Sequence, residues 1–229
     1  MVDYLKKPMT KNKPTIFIGI ISYKGGVGKT MAAINLARAF ADAGLRVILI
    51  DDDKNKTALN WATRRGHSNP FPVFDMYGAN HYAGERDIVI YDTPGGMDKS
   101  EMKDIAKNCS FIIVPCKPDQ ESIDATERLA SDLGGFGTKF RVLTTDAIAA
   151  GNFSRARGMI GYFAELNIPH FDFRESIASS TKFKDAAGNG KTIGELSGGR
   201  LFADTFGRIA RQILEEIGYE PRLTSDEIE

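Results

Sequence analysis

The chain has 229 residues, 42% of them hydrophobic and 26% charged, with 30 Lys and Arg against 30 Asp and Glu. That length suffices for one well-cored domain, and the composition excludes a disordered or collagen-like chain. Because the formal net charge is zero, any affinity for nucleic acid has to come from a local basic patch.

Residues 1–14 hold Lys6, Lys7, Lys11 and Lys13 with few apolar partners, and read as a flexible basic arm. From Thr15 the text becomes periodic. TIFIGIIS, RVILID, FPVFDM, DIVIYD, SFIIVP and KFRVLTT are strand-like by length and β-branching. Helical spacing lies between most of them. One helix follows Lys29 and ends near Gly44. A second, from about Pro118, turns Ile123, Leu129, Ala130 and Leu133 to one side before Gly134-Gly135 stops it. The last runs from about Arg200 to Ile217, with Phe202, Thr205, Phe206, Ile209, Ile213 and Ile217 on its buried face, and Gly207 weakens its centre.

Apolar strands without alternation imply a sheet covered on both faces, and strand-helix alternation makes it mostly parallel. The expected fold is therefore α/β, a mostly parallel twisted sheet flanked by helices on both faces, in a single domain over residues 15–218. An acidic tail, 219–229, follows with Glu220, Asp226, Glu227 and Glu229. Cys109 and Cys116 form no C-x-x-C pair and read as two reduced thiols of a cytoplasmic protein. No apolar run reaches the ~20 residues of a membrane span.

The densest chemistry is ISYKGGVGKT, Ile21 to Thr30. A strand, a glycine-rich turn and a helix make a phosphate cradle: glycines let backbone N–H groups converge, and the helix N-terminus adds partial positive charge. Lys29 would reach the outer phosphates and the Thr30 hydroxyl would bind Mg2+. The usual G-x-x-x-x-G-K-[ST] is not met, because its first glycine falls on Tyr23; what stands instead is Lys24-Gly25-Gly26-Val27-Gly28-Lys29-Thr30. Carboxylates close two strands, Asp51 to Asp53 after VILI and Asp92 after DIVIY. At the carboxyl edge of a parallel sheet, one such group can hold Mg2+ through water and another can orient an attacking water.

These motifs, with STKFKDAAGNGKTIGEL before the last helix, resemble the deviant Walker motifs of the ParA/MinD family of P-loop ATPases over about residues 15 to 215. The resemblance implies a P-loop fold, ATP and Mg2+ as ligands, and weak, partner-stimulated hydrolysis. It makes Lys29 the Walker lysine, Thr30 and Asp92 the magnesium residues, and Lys24 the signature lysine that crosses a nucleotide-sandwich homodimer to the partner's ATP. Gly25, Gly26, Val27, Gly28 and Met31 complete the nucleotide loop. Asp53 matches the aspartate that positions the hydrolytic water, Asp51 its D-x-D companion, and Gly95 and Gly96 the γ-phosphate switch. Two features depart from the family: Lys54-Asn55 replaces the usual Pro-Gln, and the short stretch from Trp61 to Asp87 leaves a helix before the Walker B strand missing or reduced.

Within the family, the polar, acidic end YEPRLTSDEIE does not resemble a membrane-targeting amphipathic helix, and the two cysteines do not resemble an iron-sulfur bridge. DNA partition and cargo positioning remain. Arg200, Arg208 and Arg211 near one side of the last helix, with Lys182, Lys184 and Lys191 before it, are the candidate patch for non-specific DNA. Only fourteen residues precede the first strand, so no helix-turn-helix domain is expected there. The resemblance thus implies a short ParA-type protein that partitions a plasmid or chromosome with a ParB-like or cargo-adaptor protein, cytoplasmic and nucleoid-associated when ATP-bound. The alternatives are positioning of a protein cargo such as carboxysomes, and an ATP-binding switch with negligible hydrolysis.

Overall fold

Each apolar run forms a strand: β1 (Ile16–Ile20), β2 (Val47–Asp51), β3 (Val73–Phe74), β4 (Ile88–Asp92), β5 (Phe111–Cys116) and β6 (Phe140–Thr144). They make one parallel sheet in the order β3-β2-β4-β1-β5-β6. The computed structural model describes residues 14–82, 86–147 and 154–219; the basic arm up to residue 13 and the tail from residue 220 lie outside the described residues. Among the described residues, α1 (Lys29–Asp42), α2 (Thr57–Arg65), α3 (Met76–His81), α4 (Lys99–Asn108) and α5 (Gln120–Phe136) alternate with the strands, and α6 (Ser154–Glu165), α7 (Lys182–Gly188) and α8 (Arg200–Glu216) follow β6.

Strand periodicity of two assigns the layers. Ile18, Leu49, Ile90 and Leu143 face one side, where Leu36 and Phe40 of α1 and Phe206, Ile209 and Ile213 of α8 are fully buried. Each such side chain contributes about 1.5 to 3 kcal/mol of transfer free energy. On the other side Ile112 and Val114 pack against Met102, Leu129, Leu133, Met159 and Phe163 from α4, α5 and α6. A separate small cluster of Ile48, Ile50 and Val89 meets Ala79 of α3. The expected helix before β4 is indeed reduced, to the six residues of α3.

Two expected boundaries move. Asp119, rather than Pro118, starts α5, its carboxylate accepting a hydrogen bond from the Ser122 N–H at 2.9 Å. Gly134 and Gly135 do not stop that helix. It continues to Phe136 and ends at Gly137, whose φ of 71° is the left-handed conformation that a C-terminal glycine supplies. In α8, Thr205, Phe206, Ile209 and Ile213 are buried as expected, and Gly207 does not interrupt the helix. Both cysteines are free, and no helix of the described residues is long and apolar enough to cross a membrane.

Candidate nucleotide site

Parallel pairing sets the site. β1 and β2 both flank β4, and the register places Ile20 and Asp51 beside Asp92, so three loops leave the sheet at one carboxyl edge. The loop from β1 winds through Gly26 and Gly28, at φ 73° and 93°, a left-handed region open to glycine at little cost. Gly28 starts α1 without a side-chain cap, and no acidic residue stands in the first turn. The first N–H groups of α1 therefore keep their donors and the positive end of the helix dipole for an anion.

Lys29 is 7% exposed. A Cβ built on Gly95 would lie 3.8 Å from its Nζ, so the ammonium sits between the glycine loop and the turn after β4. Asp92 is fully buried, and among the described residues neither carboxylate oxygen has a partner of hydrogen-bonding geometry. Burial pushes its pKa up to about 7; Thr30 and Lys29 lower it, and Asp51 and Asp53 raise it further. All five residues thus share one electrostatic environment. A buried, unpartnered carboxylate beside a threonine hydroxyl fits a hydrated divalent cation, which uses few protein ligands when phosphates supply the rest.

Asp51 is also fully buried, but its oxygens are occupied: Oδ1 accepts from the Asp53 N–H at 3.1 Å and Oδ2 from the Leu59 N–H at 3.0 Å. It holds the loop that carries Asp53 and the first turn of α2. Asp53 itself is half-buried. Thr93 Oγ1 donates to the Ile20 carbonyl at 2.8 Å, which ties the turn bearing Gly95 and Gly96 to the end of β1. Gly25, Gly95 and Gly96 are exposed, and Val27 is buried.

Lys24 points away from Lys29. Its Nζ lies 2.8 Å from Asp119 Oδ1 and 2.9 Å from Glu121 Oε2, at the start of α5 in the same chain. Hydrogen bonds to these two carboxylates raise its pKa. Tyr23, standing where a first glycine is usual, donates to Asp132 Oδ2 at 2.7 Å. The loop entrance is therefore docked on α5 at two points, neither of which the motif spacing announces.

A second wall was missed in the sequence. A cavity of about 440 Å3 continues from Gly26, Gly28 and Met31 to Thr145, Asp146 and the 177–181 segment, a size typical of cofactor sites. Thr145 Oγ1 donates to the Val27 carbonyl at 2.7 Å, and Lys117 pairs with Asp146 at 3.2 Å. LTTDA, which starts in the last two residues of β6, was the signal in the sequence; the left-handed backbone of Asp146, φ 54°, is visible only in the fold.

The six basic candidates sit in different surroundings. Lys184 lines this same cavity, and Lys191 lines a smaller one beside Thr30 and Trp61. Lys182 donates to the Ser197 carbonyl at 2.9 Å. Arg208 turns inward to Glu175, 4% exposed, and to the Arg174 carbonyl. Arg200 and Arg211 are exposed on α8.

With this geometry in hand, the family profile described as the CobQ/CobB/MinD/ParA nucleotide binding domain matches residues 18–219. Maintenance of carboxysome distribution protein A from Gloeobacter kilaueensis is 28% identical over 161 residues, 64% of this chain and 74% of that relative. Among solved structures, the MinD cell division protein of Aquifex aeolicus superposes with a TM-score of 0.67 at 19% identity, over 92% of this chain and 100% of that one. A putative plasmid partition protein from Borrelia burgdorferi, bound to AMPPNP, gives 0.66 at 14% identity, over 88% of this chain and 99% of that one.

Proposed function

Because the chain belongs to the CobQ/CobB/MinD/ParA family of nucleotide-binding domains, we propose that it is a ParA-type ATPase that dimerises on ATP, binds DNA without sequence preference and drives plasmid or chromosome partition through an adaptor protein. The observation that carries this reading is the meeting of Lys29, Thr30 and the unpartnered Asp92 carboxylate under an uncapped helix N-terminus.

In this reading the roles divide as follows. Lys29 and the N–H groups of α1 bind the outer phosphates, and the Gly95-Gly96 turn closes beside them. Thr30 and Asp92 would hold Mg2+, which supplies charge neutralisation on those phosphates. Asp53, aimed by Asp51, orients the attacking water. Lys24 leaves its own α5 and reaches the nucleotide of a second protomer, where a cation is worth about 10³ to 10⁵ in rate by analogy with arginine fingers. The base lies against Met31, Thr145 and the 177–181 segment. Closing the dimer doubles the phosphate contacts to DNA, so affinity rises steeply and depends on salt. In that state the protein lies on the nucleoid, and hydrolysis releases it.

The test is binding to a random-sequence DNA duplex at two salt concentrations, with ADP-Mg2+ and with ATP-Mg2+. Tight, salt-sensitive binding with ATP alone is expected; no binding in either state would overturn the reading. Phosphate release with DNA and adaptor present separates a hydrolase from a nucleotide-binding switch. A second reading, positioning of a protein cargo, is supported by the carboxysome-distribution relative, aligned over 74% of its length. It uses the same chemistry with a different adaptor.

A further inference from the structure

The sheet face opposite α1 and α8 is unevenly covered. Its two apolar clusters, one under α4 to α6 and one under α3, do not merge. At their border β1 presents Gly19, without a side chain, and α3 has only six residues. A cavity of about 350 Å3 remains, with walls that include Ile50, Val89, Tyr91, Met97 and Ile105.

The cavity opens between the two loops that border the nucleotide site. Asp52 and Lys54 on one side, and Gly95 and Gly96 on the other, stand at its edge. Glu101 and Asp104 of α4 complete the rim. Asp52, Glu101 and Asp104 have no ion-pair partner among the described residues, where Lys54 is the one cation lining the cavity. Across the floor, the Tyr91 hydroxyl donates to Asp52 Oδ2 at 2.6 Å. That bond ties the side chain of the residue before Asp53 to the cavity wall.

We infer that this cavity docks a segment of a partner protein that inserts an aliphatic or aromatic side chain between lysine or arginine residues, and that insertion shifts the Asp52–Lys54 and Gly95–Gly96 loops together. Apolar walls demand an apolar anchor. Three rim carboxylates against one lysine select basic flanks and repel nucleic acid or an anionic surface. The coupling to hydrolysis rests on the adaptor-driven ATPase reading above; the docking stands on the cavity and its rim alone.

The probe is a fluorescent peptide with a Leu-Phe pair between two lysines on each side. Its controls carry glutamates for the lysines or serines for the Leu-Phe pair. With the full chain, the basic apolar peptide should bind saturably by anisotropy, and each control about tenfold more weakly or worse. Asp104→Lys, which reverses an exposed rim charge, and Asn108→Trp, which fills the mouth, should each weaken the peptide by about tenfold with ATP affinity unchanged. Equal binding of the three peptides, or indifference to both substitutions, would overturn the inference. So would a peptide-free dimer that Asn108→Trp abolishes, since a second copy would then occupy the cavity. Peptide failure with intact ATP-dependent DNA binding overturns the docking site alone. Peptide binding that persists where ATP-dependent DNA binding is absent supports the docking site and removes the partition reading.

Discussion

Lys24 and Lys29 carry the same charge on one loop, yet their surroundings are opposite. Lys29 is 7% exposed and wedged beside Gly95. Lys24 is tethered to Asp119 and Glu121, whose side chains are 45% and 86% exposed. Ion pairs in such contact with water are worth little and exchange readily, so Lys24 can leave its own chain for an anion of higher charge. Lys29→Ala should lower ATP affinity by about a hundredfold, the scale of losing a charged hydrogen bond in a dry site. Lys24→Ala should leave ATP affinity within about threefold, since an exposed contact is removed, while abolishing the ATP-dependent dimer. Nucleotide titration and light scattering on the two variants decide the matter: equal loss of ATP binding would refute a role in trans. Both lysines are legible in the spacing K-G-G-x-G-K-T. The tether is not, because its acids lie 95 residues or more away and nothing in either segment names the other.

Among elements, the segment before α8 is pinned to α2 by one acid. Arg65 at the end of α2 donates to both oxygens of Glu195, at 2.6 and 2.7 Å, and Glu195 Oε2 also accepts from the Thr192 N–H and hydroxyl, each at 2.8 Å. Gly190 makes the approach possible, since a Cβ there would meet the Arg65 backbone nitrogen at 2.5 Å. Burial alone would raise the Glu195 pKa, but Arg65 and Thr192 outweigh it and hold it at about 2 rather than 4.5. Between these values the unfolded chain binds the proton and the folded one does not, so the contribution is full above pH 4.5 and is lost as pH falls toward 2. The shift corresponds to about 3 kcal/mol, reduced to about 1 to 2 by solvent screening of this partly exposed pair. Glu195→Gln should lower unfolding stability by that amount at pH 7 and by about half as much or less at pH 3; urea titrations at both pH values check it, and a pH-independent difference would assign the effect to packing. Strands and the long helices α1, α5 and α8 were legible because each buries a periodic face. The helices α2 and α4 were not, because α2 buries only Ala58, Trp61 and Ala62 and α4 only Met102 and Ala106. Trp61 is fixed instead by a distant acceptor, the Lys191 carbonyl at 2.9 Å.

At the scale of the whole molecule, a chain of zero net charge can bind DNA only through how its cations are arranged, and two of the six basic candidates, Lys182 and Arg208, are already engaged within the chain. Arg208 neutralises the buried Glu175, so its loss would leave an uncompensated charge and act on stability. Arg200 and Arg211 are exposed on the outer side of α8, away from the buried stripe of Phe206, Ile209 and Ile213, and are free to meet phosphates. A symmetric dimer presents each of them twice, four cations in all. Each phosphate neutralised contributes about 0.9 to the slope of log affinity against log salt, so Arg200→Ala with Arg211→Ala should reduce that slope by about 3 to 4 for the ATP-bound dimer. Arg208→Ala should leave the slope unchanged while lowering the unfolding midpoint. DNA titrations across a salt series, with thermal unfolding alongside, separate the two effects. A slope unaffected by the double substitution would move the DNA face off α8, and a slope reduced by Arg208→Ala would show that its pair with Glu175 opens on DNA.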